Sequence, residues 1–273
     1  MKRVNLEPVD CEVKMGDPAG DLKPNVTESC IFVDENGEEV GFYLKRITGR
    51  LKKFIDVANA EFRTDNVPKS LMERSDILET QRKLGISRKE AIALSVAQYS
   101  TIIGSIQPRP HMRRPYPSRS SVHQNPKAKT FIKAMLGAVK ECELLIKELM
   151  PAQYEKQRSI IEEKVAPIWR FGELFTSSIS NFNIGADYHR DAGNLKGCNN
   201  VIITKRKNCT GGHLSIPEYG ATIMNCDGSL IFYPAWKSMH GVTDINPTQQ
   251  DGYRNSLVFY PLSKLEKTGG GNG

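Results

Sequence analysis

No stretch of about 18 consecutive apolar residues, the length a membrane-spanning helix needs, occurs in this 273-residue chain. No membrane-spanning helix is therefore expected. The opening residues, Met1 to Pro8, lack the apolar segment of a secretory leader, so a cytoplasmic protein without a membrane partner is expected. No Cys-x-x-Cys pair occurs either. The six cysteines (Cys11, Cys30, Cys142, Cys198, Cys209 and Cys226) are scattered, which gives a zinc knuckle no support and leaves reduced thiols as the expectation. A metal site built from Cys198, Cys209 and Cys226 is a weaker reading than three core thiols. The last absence is local. Between Glu90 and Glu141 there is no acidic residue, while Arg109, Arg113, Arg114, Arg119, Lys127, Lys129, Lys133 and Lys140 all fall there. The net charge of +7 is modest, but this distribution makes the stretch a candidate phosphate-binding face. The alternative is a solvated loop followed by a basic helix face.

What is present is ordinary for a globular protein: 39% apolar and 25% charged residues, with room for one large domain or two small ones. Residues 1–29 are polar and turn-rich and read as a loose or draped arm. Ile31–Val33 and Val40–Leu44 flank Asp34-Glu35-Asn36-Gly37, a hairpin signal. A helix follows from Arg50, with Leu51, Phe54, Ile55 and Ala58 on one face. Further helices are expected over Ser70–Leu84 and, behind the Ser87-Arg88-Lys89-Glu90 capping box, to about Gln98. They read as a packing hairpin in preference to a DNA-binding helix-turn-helix. Ile106 to Arg119 holds four prolines and is expected to be an extended basic strap with Tyr116 exposed for stacking. Pro126 to about Met150 and Pro151 to about Val165 read as helices, the first amphipathic and buttressing a sheet. Short strands with Gly, Pro and Asn turns then follow: Thr176–Tyr188, Asn200–Thr204, Ala221–Met224, Leu230–Tyr233, His240–Thr243 and Ser256–Tyr260. Lys205 to Asn208 is expected as a basic turn. Such a run of strands argues for a sandwich or barrel.

The chemistry gathers in those strands. In Tyr188-His189-Arg190-Asp191-Ala192-Gly193-Asn194, His189 and Asp191 are two apart, so in extended chain they point to one side. His240 is available as a third ligand. Two histidines and one carboxylate form the facial triad of non-haem Fe(II) oxygenases, which leaves three coordination positions open. Farther on, Arg254 and Ser256 are again two apart in a strand-like run. A guanidinium fork and a hydroxyl suit a carboxylate co-substrate.

On these motifs the chain resembles the TET/JBP family of Fe(II)- and 2-oxoglutarate-dependent nucleic-acid base hydroxylases, especially its phage-encoded members. The resemblance covers about Pro167 to Leu262. Its most specific pieces are His189-Arg190-Asp191 with Asn194, then Gly211-Gly212-His213-Leu214-Ser215-Ile216-Pro217-Glu218-Tyr219-Gly220, in which neither His213 nor Glu218 is assigned to catalysis, then His240, and Arg254-Asn255-Ser256. It implies an α+β fold: a double-stranded β-helix (jelly-roll) core with N-terminal helices packed against it. It also implies Fe(II) held by His189, Asp191 and His240, 2-oxoglutarate held by Arg254 and Ser256, and Asn194 contacting a flipped base. Arg109, Arg113 and Arg114 are the candidate DNA contacts. The expected division is an arm (1–29), hairpin, helices and strap (30–125), buttressing helices with the dioxygenase core (126–266), and a flexible tail (267–273). If the chain is phage-encoded, its location is the host-cell cytoplasm.

The function implied is hydroxylation, with molecular oxygen, of the 5-methyl group of 5-methylcytosine in DNA. A methyl in the base stack cannot approach a buried metal, so the base must be flipped or single-stranded. Stacking partners could come from Phe182, Tyr188, Trp236 or Tyr253. Thymine hydroxylation is the near alternative. A protein side-chain or small-molecule hydroxylase on the same fold is the farther one, and a DNA-binding protein with a vestigial barrel is the non-enzyme rival.

Overall fold

The computed structural model describes residues 1–71, 81–82, 84–90, 98–113 and 115–265. Its strands are β1 (Lys2–Asn5), β2 (Cys30–Val33), β3 (Glu39–Leu44), β4 (Ser70–Leu71), β5 (Tyr99–Ile106), β6 (Ser118–Arg119), β7 (Ser177–Phe182), β8 (Ala186–His189), β9 (Asn200–Lys207), β10 (Cys209–Gly211), β11 (Leu214–Ile216), β12 (Ala221–Ile223), β13 (Ser229–Tyr233), β14 (His240–Val242), β15 (Ile245–Pro247) and β16 (Tyr253–Tyr260). Among the described residues they are joined by helices α1 (Gly49–Phe62), α2 (Lys129–Leu149) and α3 (Pro151–Lys164). The major sheet runs β1-β2-β3-β13-β9-β16-β7-β5-β4, with β6 on β5. The minor sheet runs β12-β11-β14-β8, and β10 pairs with β15. The two larger sheets face each other as the jelly roll expected from the strand pattern.

Alternation along the major sheet decides which face does what. On β9, Val201 and Ile203 join a core with α1 and α2, and on β16 Leu257 and Phe259 do the same. Their neighbours Asn200, Ile202, Arg254, Ser256 and Val258 turn the other way and line a cavity toward the minor sheet. The helices therefore cover the back of the major sheet. α2 buries Phe131, Met135, Val139, Cys142 and Ile146, the stripe its periodicity predicts, and α1 buries Leu51, Ile55, Ala58 and Phe62. Gly137 gives the contact room, because a Cβ there would meet the Phe54 ring at 2.6 Å.

Several expectations need correction. The arm is draped but not loose. β1 pairs in parallel with β2, Leu6 is buried, and Tyr188 N donates to Asp17 O while Gly16 N donates to Tyr188 O, so the arm runs along β8. Thr176–Tyr188 is two strands in different sheets. Asn183 breaks it at φ 53°, held by its N–H on Arg254 O at 2.7 Å and by its Oδ1, which accepts from Arg254 N at 2.8 Å. Lys205, Arg206 and Lys207 are not a turn but the end of β9, which turns only at Asn208, φ 44°. Lys205 is tolerated inside because Asp56 (3.0 Å) and Asp227 (2.8 Å) neutralise it. Ser70–Leu71 is strand, not the start of a helix, and β5 and β15 had no counterpart in the sequence pattern. The capping box forms: Ser87 N donates to Glu90 Oε2 at 2.8 Å and Glu90 N to Ser87 Oγ at 3.3 Å. Most of the two expected helices around it, Arg114 and the glycine-rich tail lie outside the described residues.

Candidate metal and co-substrate site

β8 ends at His189 and β14 begins at His240, paired directly across the ladder. Their ring centroids are 4.3 Å apart. Asp191 stands just past β8, with Oδ1 3.5 Å from His189 Nε2. One ligand atom from each of the three residues lies within 4.8 Å of the others, and among the described residues they form the only such cluster. Each ligand is oriented from behind. His189 Nδ1 lies 2.8 Å from Asp187 O, and His240 Nδ1 lies 3.0 Å from Ser238 O. A carbonyl only accepts, so both Nδ1 atoms carry a proton, which turns each Nε2 toward the place a cation would take; without a cation His189 Nε2 faces Asp191, and that bond holds the His189 pKa above its ordinary value. Asp191 Oδ2 accepts from Asn200 Nδ2 at 2.7 Å and from Asn194 Nδ2 at 3.3 Å, which leaves Oδ1 for a cation. Burial pushes the Asp191 carboxyl up, but the bond from His189 and the charges nearby outweigh it and hold it below its ordinary value. Burial keeps His240 below its own. An ionised carboxylate with two imidazoles is a donor set that suits Fe(II).

Glu218 ties the ligand-bearing segments together. Its Oε1 pairs with Arg190, between His189 and Asp191, and its Oε2 accepts from Met239 N, beside His240, at 2.8 Å.

The cavity, about 410 Å³, runs from this triad to Arg254 and Ser256 on β16. Arg254 is 2% exposed, and no carboxylate of the described residues pairs with it. Its Nε has no hydrogen-bond partner. Burial and the neighbouring Arg206 pull its pKa down to about 10, still cationic at neutral pH. A buried cation without a partner is costly, so the site calls for an anion from outside. Gly212 makes the position possible: at φ +67°, any Cβ there would strike Arg254 Cδ at 2.5 Å. The donor set thus fits a metal at one end and a carboxylate at the other, the shape of 2-oxoglutarate.

Of the candidate DNA contacts, Asn194 and Arg109 line the cavity. Asn194 Nδ2 also reaches Asn200 Oδ1 at 2.9 Å. Arg113 stands exposed in the β5–β6 loop at φ 57°. Phe182, Tyr188, Trp236 and Tyr253 are not in the cavity wall. Tyr233, Tyr260 and Gln107 are. Phe182 and Tyr253 instead stack with each other, and Phe182 stacks with Tyr99, behind the sheet. Sequence reasoning missed Asn200 as a support, and Glu218, part of the glycine-rich motif, had been assigned no role in catalysis. Tyr260 had a signal, since it continues the two-residue period from Arg254 and Ser256. His213 lies off the cavity wall, held below its usual range, at about 4, by burial and by Arg206 and Arg254.

The Tet_JBP family model, an oxygenase domain of the 2OGFeDO superfamily, matches residues 107–262, more than half the chain. No curated protein matches the chain. Among solved structures, NgTET1 in complex with 5mC DNA is similar at 13% identity and a TM-score of 0.54, over 93% of this chain and 85% of that one. A full-length Neurospora crassa protein, solved in complex with alpha-KG, is similar at 13% identity and 0.42, over 81% and 74%. A putative 2OG-Fe(II) oxygenase family protein of Caulobacter crescentus is similar at 10% and 0.45, over 81% and 77%. At such identity the first of these likenesses is one of fold.

Proposed function

The chain belongs to the Tet_JBP family, oxygenase domains of the 2OGFeDO superfamily, and on that premise we propose that it hydroxylates the 5-methyl group of 5-methylcytosine in DNA. It is an Fe(II)- and 2-oxoglutarate-dependent dioxygenase. On this reading His189, Asp191 and His240 hold the iron, and Arg254 and Ser256 hold the distal carboxylate of 2-oxoglutarate. With dioxygen, this pair of cofactors supplies an oxidant strong enough to take hydrogen from a methyl group, which no side chain can do.

The chain's own residues choose the substrate. The observation that carries the choice of base is the Asn194–Asn200–Asp191 network. Asn194 Nδ2 donates to Asp191 and to Asn200. The opposite flip would set the amide oxygen against a carboxylate, so Asn194 is fixed with its Oδ1 as a free acceptor beside the metal ligands. A pyrimidine with its C5 methyl at the metal carries its C4 substituent next to it. Cytosine offers an amino donor there and thymine a carbonyl, and an acceptor favours cytosine. Tyr260 supplies an aromatic wall for the flipped base. Arg109 and the exposed Arg113 would meet the phosphates. The six free cysteines suit the cytoplasmic location that belongs to this reading.

Purified protein is incubated with Fe(II), 2-oxoglutarate and ascorbate on DNA with and without 5-methylcytosine, and nucleosides are analysed by mass spectrometry. One added oxygen on 5-methylcytosine is expected, abolished by Asp191→Ala with DNA binding kept. Oxygen on thymidine moves the substrate to thymine. Succinate without an oxidised nucleoside removes DNA bases as the target, and product from Asp191→Ala overturns the metal assignment.

A further inference from the structure

Tyr233 ends β13, and its ring stands edge-on to His240, with centroids 5.4 Å apart and planes at 87°. It pairs across the ladder with Asn200, whose amide holds Asp191. It is 2% exposed, lines the cavity, and its hydroxyl has no hydrogen-bond partner. Burying an unpaired hydroxyl costs on the order of 1–3 kcal/mol, and a phenylalanine would fill the same space without that cost. The surrounding core, with Phe32, Ile231, Ile223 and Leu214, is apolar and asks for no hydroxyl. Because Tyr233 lies on the cavity wall, an acceptor can reach its hydroxyl with a ligand. Asp191 is within electrostatic reach, but its Oδ2 is already committed to two amides. On the cofactor reading, the group that would stand nearest both Tyr233 and the ligand set is the metal end of the co-substrate, an anionic oxygen acceptor.

Resting on the cofactor reading above, we propose that the Tyr233 phenol donates a hydrogen bond to the keto-acid carboxylate of 2-oxoglutarate. The co-substrate is then gripped at both ends, by Arg254 and Ser256 at the distal carboxylate and by Tyr233 at the metal. Tyr233 is a positioning residue: it would orient the keto-acid end of the co-substrate at the His189, Asp191 and His240 cluster.

The test needs no DNA and no turnover. Under anaerobic conditions, Fe(II)-loaded wild type and Tyr233→Phe are titrated with 2-oxoglutarate, followed by the visible charge-transfer band of the Fe(II)–keto-acid complex. They are titrated separately with succinate, which has the distal carboxylate but no keto-acid end. Tyr233→Phe should weaken 2-oxoglutarate about 10- to 150-fold, the worth of one hydrogen bond to a charged group, and shift the band, with succinate within about twofold. The melting temperature of the metal-free variant should equal or exceed wild type, since an unpaired hydroxyl is gone. Equal loss for both acids, a lowered melting temperature, or unchanged 2-oxoglutarate binding and band each overturn the proposal. Absence of the band in wild type would instead overturn the cofactor reading beneath it.

Discussion

At the residue scale, the candidate ligands could be picked out because their chemistry is local, and the fold brings His189, Asp191 and His240 together. His189 and Asp191 sit two apart in extended chain, and so do Arg254 and Ser256; alternation alone puts each pair on one side. The residues that orient them were not legible. Asn200 and Glu218 act from other strands and turns, and no spacing in the sequence connects Glu218 to both Arg190 and Met239. Glu218 has a single job in this geometry, to fix the segments on either side of the metal site. Glu218→Ala should therefore lower Fe(II) or Co(II) affinity about 10-fold, in the range for lost support behind metal ligands, by equilibrium dialysis. Glu218→Gln should fall between, since an amide keeps one acceptor for Met239 N but loses the charge facing Arg190. Unchanged metal affinity in the alanine variant would make that ion pair a surface feature only.

At the element scale, helix faces and most strands followed from periodicity, and the misses share a cause. Asn183 turns the chain out of β7 only because Arg254, far away in sequence, bonds its backbone and side chain. Lys205 enters the sheet only because two aspartates from elsewhere meet it. Tertiary partners set both, and a local window contains neither. The docking of α2 has the same character. Glu143, inside its apolar stripe, accepts from Glu173 N at 2.6 Å and Leu174 N at 2.9 Å and so fixes the segment leading into β7. Burial pushes its carboxyl up to about 7, against the pull of those two donors. In the unfolded chain a glutamate titrates near about 4.3. Between these values the unfolded state releases a proton that the folded state keeps, so stability falls as pH rises and levels off above 7. Glu143→Gln keeps an acceptor for both N–H groups and cannot ionise. Its stability advantage over wild type should grow by about 2 kcal/mol from about pH 5 to about pH 8, read by urea unfolding at both. A constant difference across that range would mean Glu143 folds already ionised.

At the scale of the whole molecule, the fold divides a charge pattern that looked continuous in the sequence. The acid-free stretch from 91 to 140 reads as one basic face, but the major sheet passes through it. Arg109 and Arg113 lie in the β5–β6 loop, with Arg109 in the cavity wall. Lys133 and Lys140 are exposed on α2, which packs on the opposite face of that sheet. Arg119 is committed to the carbonyl oxygens of Ile168 and Arg170. On the proposed function, a duplex presenting a base to the cavity would touch the loop arginines and not, at the same time, the α2 lysines on the other face of the sheet. The number of phosphates neutralised should therefore be small despite the eight basic residues in the stretch. For duplex DNA each neutralised phosphate contributes about −0.9 to the slope of log affinity against log salt. Arg113→Ala should flatten that slope by about one unit, while Lys133→Ala and Lys140→Ala leave it unchanged, measured by fluorescence anisotropy from low to physiological salt. If the lysine variants flatten the slope as much as the arginine variant, DNA lies across the helical back of the molecule, and the cavity is not where its base is presented.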